Sequence, residues 1–232
     1  MTNYLNNSDI NRIHREHVLK NTMQDYKYVP LPMNRNVNNW KWEGKDFPRV
    51  IALLELDEFF KKNNFLFEKV LCINGDDDPE FEFLPYKNKK IIHYEADPRN
   101  NDLHNLNLQE KDYDFCMLNQ TLEHLYDPIK CLKNINAHLK TGGIFYCNVP
   151  VINIPHMTPY HHYSGFTPTG LGCIAEAAGF EILSIGSWGN KEYTVKLFEN
   201  LDWPSYQDLL TSGLNEKEYP VITWIFARKS NE

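Results

Sequence analysis

The hydrophobic pattern changes along the chain, from a polar N-terminal segment to short apolar runs that alternate with amphipathic stretches. Residues 1–45 are polar, and their weak periodicity predicts one helix around Ile10–Met23 and a loose arm. A stronger helix is predicted from Asp46, which suits an N-cap, with Pro48 in its first turn. We therefore expect an N-terminal helical arm over 1–45 and a main domain over 46–232.

Four short apolar runs then predict buried strands. They are Val70–Ile73, Ile91–Tyr94, Phe115–Leu118 and Ile144–Val149. Strands that are apolar at nearly every position are typical of a sheet that is covered on both faces. The runs therefore favour an α/β protein over one with an exposed sheet face.

Helical segments separate the later strands. One is predicted to begin at Asp127-Pro128 and to end at Gly142-Gly143, and another runs from Thr167-Pro168 to Gly179. Two late strands, Phe180–Ile185 and Val221–Ala227, complete the pattern. The order predicts a parallel sheet wound by right-handed crossovers, with a final strand pair that forms an antiparallel edge.

Composition and charge exclude several classes of protein. A chain of 232 residues suffices for one sizeable core with an appendage, and its net charge of −7 opposes general nucleic-acid binding. No apolar stretch approaches 18 residues, so no membrane span is expected. The five cysteines are odd in number and form no CxxC pair, which predicts reduced thiols in a cytoplasmic protein.

Polar residues follow the first two predicted strands, where open α/β sheets bind ligands. The first strand leads into the turn Asn74-Gly75-Asp76-Asp77-Asp78. About twenty residues later, the second strand ends in Glu95-Ala96-Asp97. A carboxylate at that position can accept hydrogen bonds from both ribose hydroxyls. This spacing serves nucleotide cofactors in general and does not distinguish NAD from S-adenosylmethionine.

The charge of the first turn does distinguish them. A dinucleotide would place its pyrophosphate on this turn, where three consecutive aspartates, Asp76–Asp78, would repel it. S-adenosylmethionine has no phosphate and carries an ammonium and a sulfonium group. An alternative is that the aspartates cap a helix. Both interpretations disfavour NAD.

Five further segments, in the same order, resemble one family. They are Tyr113–Pro128 with its Leu122-Glu123-His124 signature, Leu139–Gly143, Val149-Pro150, Phe166–Glu181 and Trp224–Lys229. Over roughly residues 48–229 the chain resembles class I S-adenosylmethionine-dependent methyltransferases of types 11 and 12. The resemblance implies a Rossmann-like fold with a mostly parallel seven-stranded sheet, helices on both faces and an antiparallel last strand. It also implies S-adenosylmethionine as cofactor.

The sequence departs from the family in its glycine turn. Where the family has GxGxG, this chain has Asn74, Asp76 and Asp78, and Gly75 stands one position out of register. A tolerated variant of the turn is the favoured interpretation. The alternative is a chain that binds the cofactor poorly and serves as a binding or scaffold protein.

The resemblance assigns roles to residues near the strand ends. It implies that Asn74 and Gly75 contact the methionyl end of the cofactor, and that Asn119 and Gln120 face its methyl group and amino-acid part. It implies Glu95 as the residue that binds the ribose, with Asp97 as second choice. Asp102 and Leu103 are expected beside the adenine. His124 is expected in the wall of the substrate pocket.

A histidine-rich loop follows the fourth strand, at residues 155–163. His156 and His161 are the candidates for a general base or for orienting the acceptor, and His162 and Tyr163 for binding it. A structural role for the histidines is the alternative. No metal is expected, because the adjacent pair His161-His162 cannot easily share one ion and the loop contains no carboxylate.

The remaining expectations concern substrate and assembly. The connection 191–219 is long and aromatic, so we expect an insertion that acts as a lid. The histidine loop and Gly186–Asn190 resemble methyltransferases found with surface-polysaccharide genes. We therefore expect methylation of an oxygen, rather than a nitrogen, on a small-molecule or carbohydrate-type acceptor by a monomer or homodimer. A nicotinamide-dependent oxidoreductase is a less favoured third alternative.

Overall fold

Six strands form one sheet in the computed structural model, which describes residues 4–21, 24–26, 44–73, 78–92, 102–156, 162–211 and 213–231. The strands are β1 (Phe67–Ile73), β2 (Tyr86–Ile92), β3 (Tyr113–Asn119), β4 (Leu139–Pro150), β5 (Phe180–Trp188) and β6 (Ile222–Lys229). Their order is β2-β1-β3-β4-β6-β5. The first four are parallel, whereas β6 is antiparallel to both β4 and β5.

This topology confirms the mostly parallel α/β sheet with an antiparallel last strand. Within the described ranges the sheet has six strands instead of seven. The antiparallel strand β6 lies between β4 and β5 and is not itself the edge. Strand β2 begins at Tyr86, before the predicted apolar run, because the chain already pairs with β1 there. The residues Lys87–Lys90 are polar and exposed, so the apolar pattern did not reveal them as part of the strand.

Five α-helices accompany the strands in the described part of the chain. They are α1 (Asn7–Ile13), α2 (Phe47–Asn63), α3 (Pro128–His138), α4 (Pro168–Ala177) and α5 (Lys191–Asn200). The Asp127 and Thr167 side chains cap α3 and α4 by accepting backbone amide hydrogen bonds, each of 3.1 Å. Asp46 occupies the N-cap position of α2 without a side-chain capping bond.

The prediction that α3 ends at the glycine pair Gly142-Gly143 was wrong. The helix ends at His138, and β4 begins at Leu139. The glycines lie where the pairing of β3 with β4 shifts register. A Cβ on Gly143 would lie 2.8 Å from the carbonyl oxygen of Lys140, so only glycine is accommodated there without a shift.

Two hydrophobic cores lie on the two faces of the sheet. One is built on α1, α3 and α4, and the other on α2 and α5. Helices therefore cover both faces, as the apolar strands predicted. The N-terminal helix is part of the first core, because Ile13 is fully buried and Arg12 forms an ion pair with Glu176 of α4. None of the helices in the described ranges is long and apolar enough to cross a bilayer.

Candidate active site

The carboxyl ends of β1, β3 and β4 meet at one edge of the sheet. Their parallel register places Ile73 beside Leu118, and Asn119 beside Asn148. The chain leaves β1 and returns to this edge at Asp78. Side chains that follow three different strands thus converge where an open α/β sheet binds its ligand.

A chain of hydrogen bonds joins these side chains. The Asn119 amide donates to Asp78 Oδ2 at 3.0 Å, and the Asn148 amide donates to Asn119 Oδ1 at 2.8 Å. Gln120 Nε2 donates to Asn148 Oδ1 at 2.7 Å. Asn148 is fully buried, and Gln120 has a positive φ of 42°. The network therefore fixes the amides at the mouth of β3 by a buried residue of the neighbouring strand.

An ion-pair cluster of two half-buried side chains and one fully buried side chain adjoins the network. Arg49 of α2 lies 2.8 Å from Asp78 Oδ1 and 2.8 Å from Glu80 Oε2 through the same Nη2 nitrogen. Burial raises the pKa of the Glu80 carboxyl, and the charge of Arg49 opposes that rise. Arg49 thus offsets the charge of Asp78, one of the three aspartates expected to repel a pyrophosphate. Asp76 and Asp77 lie outside the described residues.

Two atoms of this cluster face no partner within the described ranges. They are Arg49 Nε, a donor, and Glu80 Oε1, an acceptor, and both are buried. Buried polar atoms of this kind are normally hydrogen-bonded. Both atoms are enclosed by protein, so a ligand would reach either of them only after the surrounding side chains move.

Three histidines come together next to this edge. His124 belongs to a short 3-10 turn after β3, His156 follows β4, and His162 precedes α4. The ring centroids lie 5.0 Å apart for His124–His156, 5.6 Å for His124–His162 and 5.1 Å for His156–His162. His124 is buried, whereas the other two are half-buried.

Local contacts hold the histidines in place. His156 Nδ1 lies 2.8 Å from the carbonyl oxygen of Ile154, and His124 Nε2 lies 3.8 Å from Glu123 Oε1. The Tyr163 amide donates to the Glu123 carbonyl at 2.8 Å, which ties the chain before α4 to the turn after β3. Burial, together with the neighbouring His156, lowers the pKa of the His162 imidazole.

A cavity of about 340 Å³ opens beside this edge. Its walls are Lys45, Asp46, Arg49, Gln120, Asn153, His156 and Trp203. The Trp203 indole donates to Asn153 Oδ1 at 2.9 Å and lies 5.7 Å from the His156 ring. A larger cavity of about 520 Å³ lies between α2 and the β5–β6 pair, but none of the predicted site residues lines it. We favour the smaller cavity as the site, because amide, guanidinium and imidazole groups converge there.

The structure brings some of the predicted residues together and separates others. Asn119 and Gln120 lie at the mouth of β3, and His124, His156 and His162 form the histidine cluster. Tyr163 is exposed, with its ring 6.4 Å from that of Tyr126. The predicted residues Asn74, Gly75, Glu95, Asp97 and His161 lie outside the described residues.

The two residues predicted beside the adenine have contacts of their own. Asp102 accepts hydrogen bonds from the amide of His104 and lies 2.7 Å from His104 Nδ1. Leu103 is fully buried in the first core. The Leu103 side chain therefore belongs to the protein interior, and Asp102 is held by the short turn that it caps.

Sequence reasoning missed Arg49, Glu80 and Asn148. Arg49 and Glu80 gave no signal, because each is one charged residue among many. Asn148 did give one, since it is a polar residue in the otherwise apolar run Ile144–Val149, close to the end of a buried strand. A polar side chain at that place indicates a buried network or a site.

The sequence decides the family. Residues 52–185, more than half of the chain, match a family model described as a methyltransferase domain. The chain belongs to the class I S-adenosylmethionine-dependent methyltransferases. Membership confirms the fold class, the methyltransferase activity and the cofactor that the sequence motifs implied. No curated protein sequence is detectably similar to this methyltransferase.

Solved structures share its fold at low sequence identity. A S-adenosylmethionine-dependent methyltransferase from Clostridium acetobutylicum is 12% identical with a TM-score of 0.51, and the match covers 81% of this chain and 93% of that one. The N-methyltransferase NodS from Bradyrhizobium japonicum, in complex with S-adenosyl-L-homocysteine, is 13% identical with a TM-score of 0.50, covering 82% and 91%.

A third structure is phosphoethanolamine N-methyltransferase 2 from Haemonchus contortus, in complex with S-adenosyl-L-methionine. It is 10% identical with a TM-score of 0.52, and the match covers 84% of this methyltransferase and 55% of that chain. At these identities the likeness concerns the fold alone.

Proposed function

We propose that this methyltransferase transfers a methyl group from S-adenosylmethionine to an oxygen, rather than a nitrogen, of a small-molecule or carbohydrate-type acceptor. The observation that carries the proposal is the cavity in which Gln120, at the mouth of β3, lies with His156 and Trp203. One wall of this cavity belongs to the strand end expected to face the methyl group. The other belongs to the loop expected to hold the acceptor.

The charges of the strand edge suit this cofactor. Arg49, Asp78 and Glu80 together are neutral or carry one negative charge, depending on the protonation of Glu80. S-adenosylmethionine has an ammonium, a carboxylate and a sulfonium, and so carries one net positive charge. Arg49 Nε and Glu80 Oε1 are buried without a partner in the described ranges, and they would offer a donor and an acceptor to it once the side chains that enclose them move. The donor set therefore fits a zwitterionic amino-acid group next to a cation.

Individual residues take the roles that the family motifs imply. Asn119 and Gln120 hold the methionyl end with Asn74 and Gly75, and Glu95, with Asp97 as second choice, binds the ribose. Asp102 and Leu103 border the adenine. The Leu103 side chain is buried in the first core and forms part of the protein interior behind that site. When bound, the cofactor supplies a methyl group that its sulfonium already activates.

The protein must then align the acceptor and exclude water. His156 and His161 orient the acceptor oxygen or accept its proton, and His124, His162 and Tyr163 line the acceptor site. The segment 191–219 serves as a lid over it. Trp203 of this segment supports that role, because it already lies against His156 and donates to Asn153.

The biological setting that we propose is surface-polysaccharide biosynthesis in the cytoplasm, by a monomer or homodimer. The carbohydrate-type acceptor rests on the aromatic and hydrogen-bonding walls of the cavity, Trp203, Asn153 and Gln120. Incubation with S-adenosylmethionine labelled in its methyl group and a panel of sugar nucleotides and small amines tests the acceptor class. Label in a sugar product supports it, and label that enters only amine acceptors contradicts it.

Calorimetric titration with S-adenosylhomocysteine tests the cofactor site. Wild type should bind, and Glu95→Ala should weaken binding by about 1–3 kcal/mol, the scale of a lost buried polar contact. Glu68→Ala is the matched control, because Glu68 is an exposed carboxylate of β1 that pairs with Lys87. Absence of wild-type binding at millimolar ligand would favour the scaffold alternative. Unchanged affinity in Glu95→Ala would mean that another group binds the ribose.

A further inference from the structure

The histidine cluster unites residues that are far apart in the sequence. His124 lies 32 residues before His156, on a different strand end, so the loop alone gave no sign of it. One ligand atom from each of His124, His156 and His162 lies within 4.8 Å of the other two. Among sets of three or more His, Cys, Asp and Glu side chains in the described ranges, this is the one whose ligand atoms lie close enough together to share a cation.

The orientation of the rings suits metal binding. The Nδ1 of His156 lies 2.8 Å from the Ile154 carbonyl oxygen, which can only accept, so Nδ1 carries the proton and the Nε2 lone pair is available. The Nδ1 of His162 is buried and has no hydrogen-bond partner within the described ranges. The His156 ring is thus held through the nitrogen that would not bind the metal, as is usual for metal-binding histidines. The His162 ring has a buried nitrogen without a partner in the described ranges.

A carboxylate stands beside the third ring. Glu123 is fully buried, and its Oε1 lies 3.8 Å from His124 Nε2. Carboxylates next to metal-binding imidazoles commonly orient the ring and fix its tautomer. The Tyr163 amide, which donates to the Glu123 carbonyl, connects this group to the segment that carries His162. The cluster therefore has the supporting contacts of a metal centre in addition to its three imidazoles.

We propose that His124, His156 and His162 bind a divalent transition-metal ion of the zinc class. Imidazole nitrogen suits Zn²⁺, whereas Mg²⁺ and Ca²⁺ prefer oxygen. Zinc–nitrogen bonds of about 2.0–2.1 Å at tetrahedral angles place ligand atoms about 3.3 Å apart. Side-chain movements of about 1–1.5 Å would therefore close the cluster around an ion.

The position of the cluster indicates an open coordination site. Sites with three protein ligands usually keep a fourth position for water or substrate. His156 belongs both to the cluster and to the wall of the 340 Å³ cavity. The open position accordingly serves an acceptor oxygen, an assignment that rests on the proposed function. In that arrangement His156 orients the acceptor through the ion and is not itself the base.

Metal titration of untagged, chelator-treated protein tests the site without any need for the acceptor. We expect one equivalent of Zn²⁺ to bind, and Co²⁺ to give the visible absorption of a nitrogen-ligated ion. His156→Gln and His162→Gln should each weaken binding by at least about 10–100-fold. His14→Gln is the control, because His14 lies outside the cluster against Thr169 and should bind as wild type does.

Circular dichroism checks that each variant folds. If His162→Gln does not fold, His156→Gln alone tests the metal site. Less than one equivalent in the wild type, or equal affinity in wild type and a folded cluster variant, overturns the metal site. S-adenosylhomocysteine titration of the same samples separates the two proposals. If the protein binds the metal but not S-adenosylhomocysteine, only the proposed function is contradicted. If it binds S-adenosylhomocysteine but not the metal, only the metal site is contradicted.

Discussion

Arg49 and Asp78 form a half-buried ion pair of 2.8 Å at the turn where the family carries its glycines. Asp78 also accepts a hydrogen bond from Asn119, so α2, the turn and the end of β3 are joined through one carboxylate. In a GxGxG turn the backbone can approach the cofactor closely, because glycine has no side chain to stand between them. Here side chains fix the end of the turn instead.

Replacing Arg49 should destabilise the fold. Arg49→Met leaves the fully buried Glu80 and the half-buried Asp78 without their cation, and loss of one partner of a buried pair typically costs about 3–5 kcal/mol. Urea denaturation measures the loss. Arg15→Gln is the control, since Arg15 is exposed and lies 3.8 Å from Glu16, and it should change stability by less than about 0.5 kcal/mol. Equal stability of the two variants would show that the pair contributes nothing.

Removing the buried amide of Asn148 should weaken cofactor binding. Asn148→Ala leaves Asn119 Oδ1 and Gln120 Nε2 without the partner that fixes them. We expect S-adenosylhomocysteine to bind about 1–3 kcal/mol more weakly by calorimetry. Asn136→Ala, on the exposed surface of α3, should bind normally. Normal affinity in folded Asn148→Ala would separate the amide network from the cofactor site.

Gly189 should tolerate no side chain. A Cβ at this position would overlap the carbonyl oxygen of Tyr219 and the amide nitrogen of Val221, which are both backbone atoms. We expect Gly189→Ala to cost at least about 1–3 kcal/mol of stability. Gly170→Ala in α4 meets only the Thr167 hydroxyl, at 3.2 Å, and should change stability by less than about 1 kcal/mol. Similar thermal unfolding of both variants would refute the close approach.

Glu192 should stabilise the protein in a pH-dependent way. Burial alone would raise the pKa of its carboxyl, but hydrogen bonds from Thr211 and from the Leu210 and Thr211 amides outweigh burial and lower the pKa to about 2. A depressed folded-state pKa gives stability above the unfolded-state pKa, which is lost as the pH falls towards the folded value.

The matching measurement compares Glu192→Gln with wild type by denaturation at several pH values. The variant should be about 1–2 kcal/mol less stable at pH 7, and the difference should shrink between about pH 5 and pH 2. Glu199→Gln, exposed on the same helix, should show no such trend. A difference that is constant with pH would assign the effect of Glu192→Gln to packing and not to charge.

The fold followed from local signals, because apolar runs and helix caps are properties of neighbouring residues. Asp127 and Thr167 cap the helices that they were predicted to begin. The end of α3 was wrong because Gly142-Gly143 also fits a strand irregularity, and the choice depends on the pairing with Tyr113. Strand β2 was predicted too short because its exposed residues Lys87–Lys90 carry no apolar pattern.

The site was less predictable, because its residues meet only in three dimensions. Asn119 and Gln120 were found because they follow a strand directly. Arg49 reaches the site from a helix before β1, and His124 joins His156 and His162 across two strand ends. Within the loop, the three histidines His156, His161 and His162 did not predict a metal site, because the adjacent pair His161-His162 cannot easily share one ion. The group that the structure brings together includes His124 instead.

The most direct test of the account is a crystal structure with S-adenosylhomocysteine. We predict electron density for the nucleoside over the carboxyl ends of β1 and β3, with its sulfur facing the cavity between Gln120 and His156. Density elsewhere, or an edge that the Arg49–Asp78 cluster fills with no room for the ligand, would contradict it.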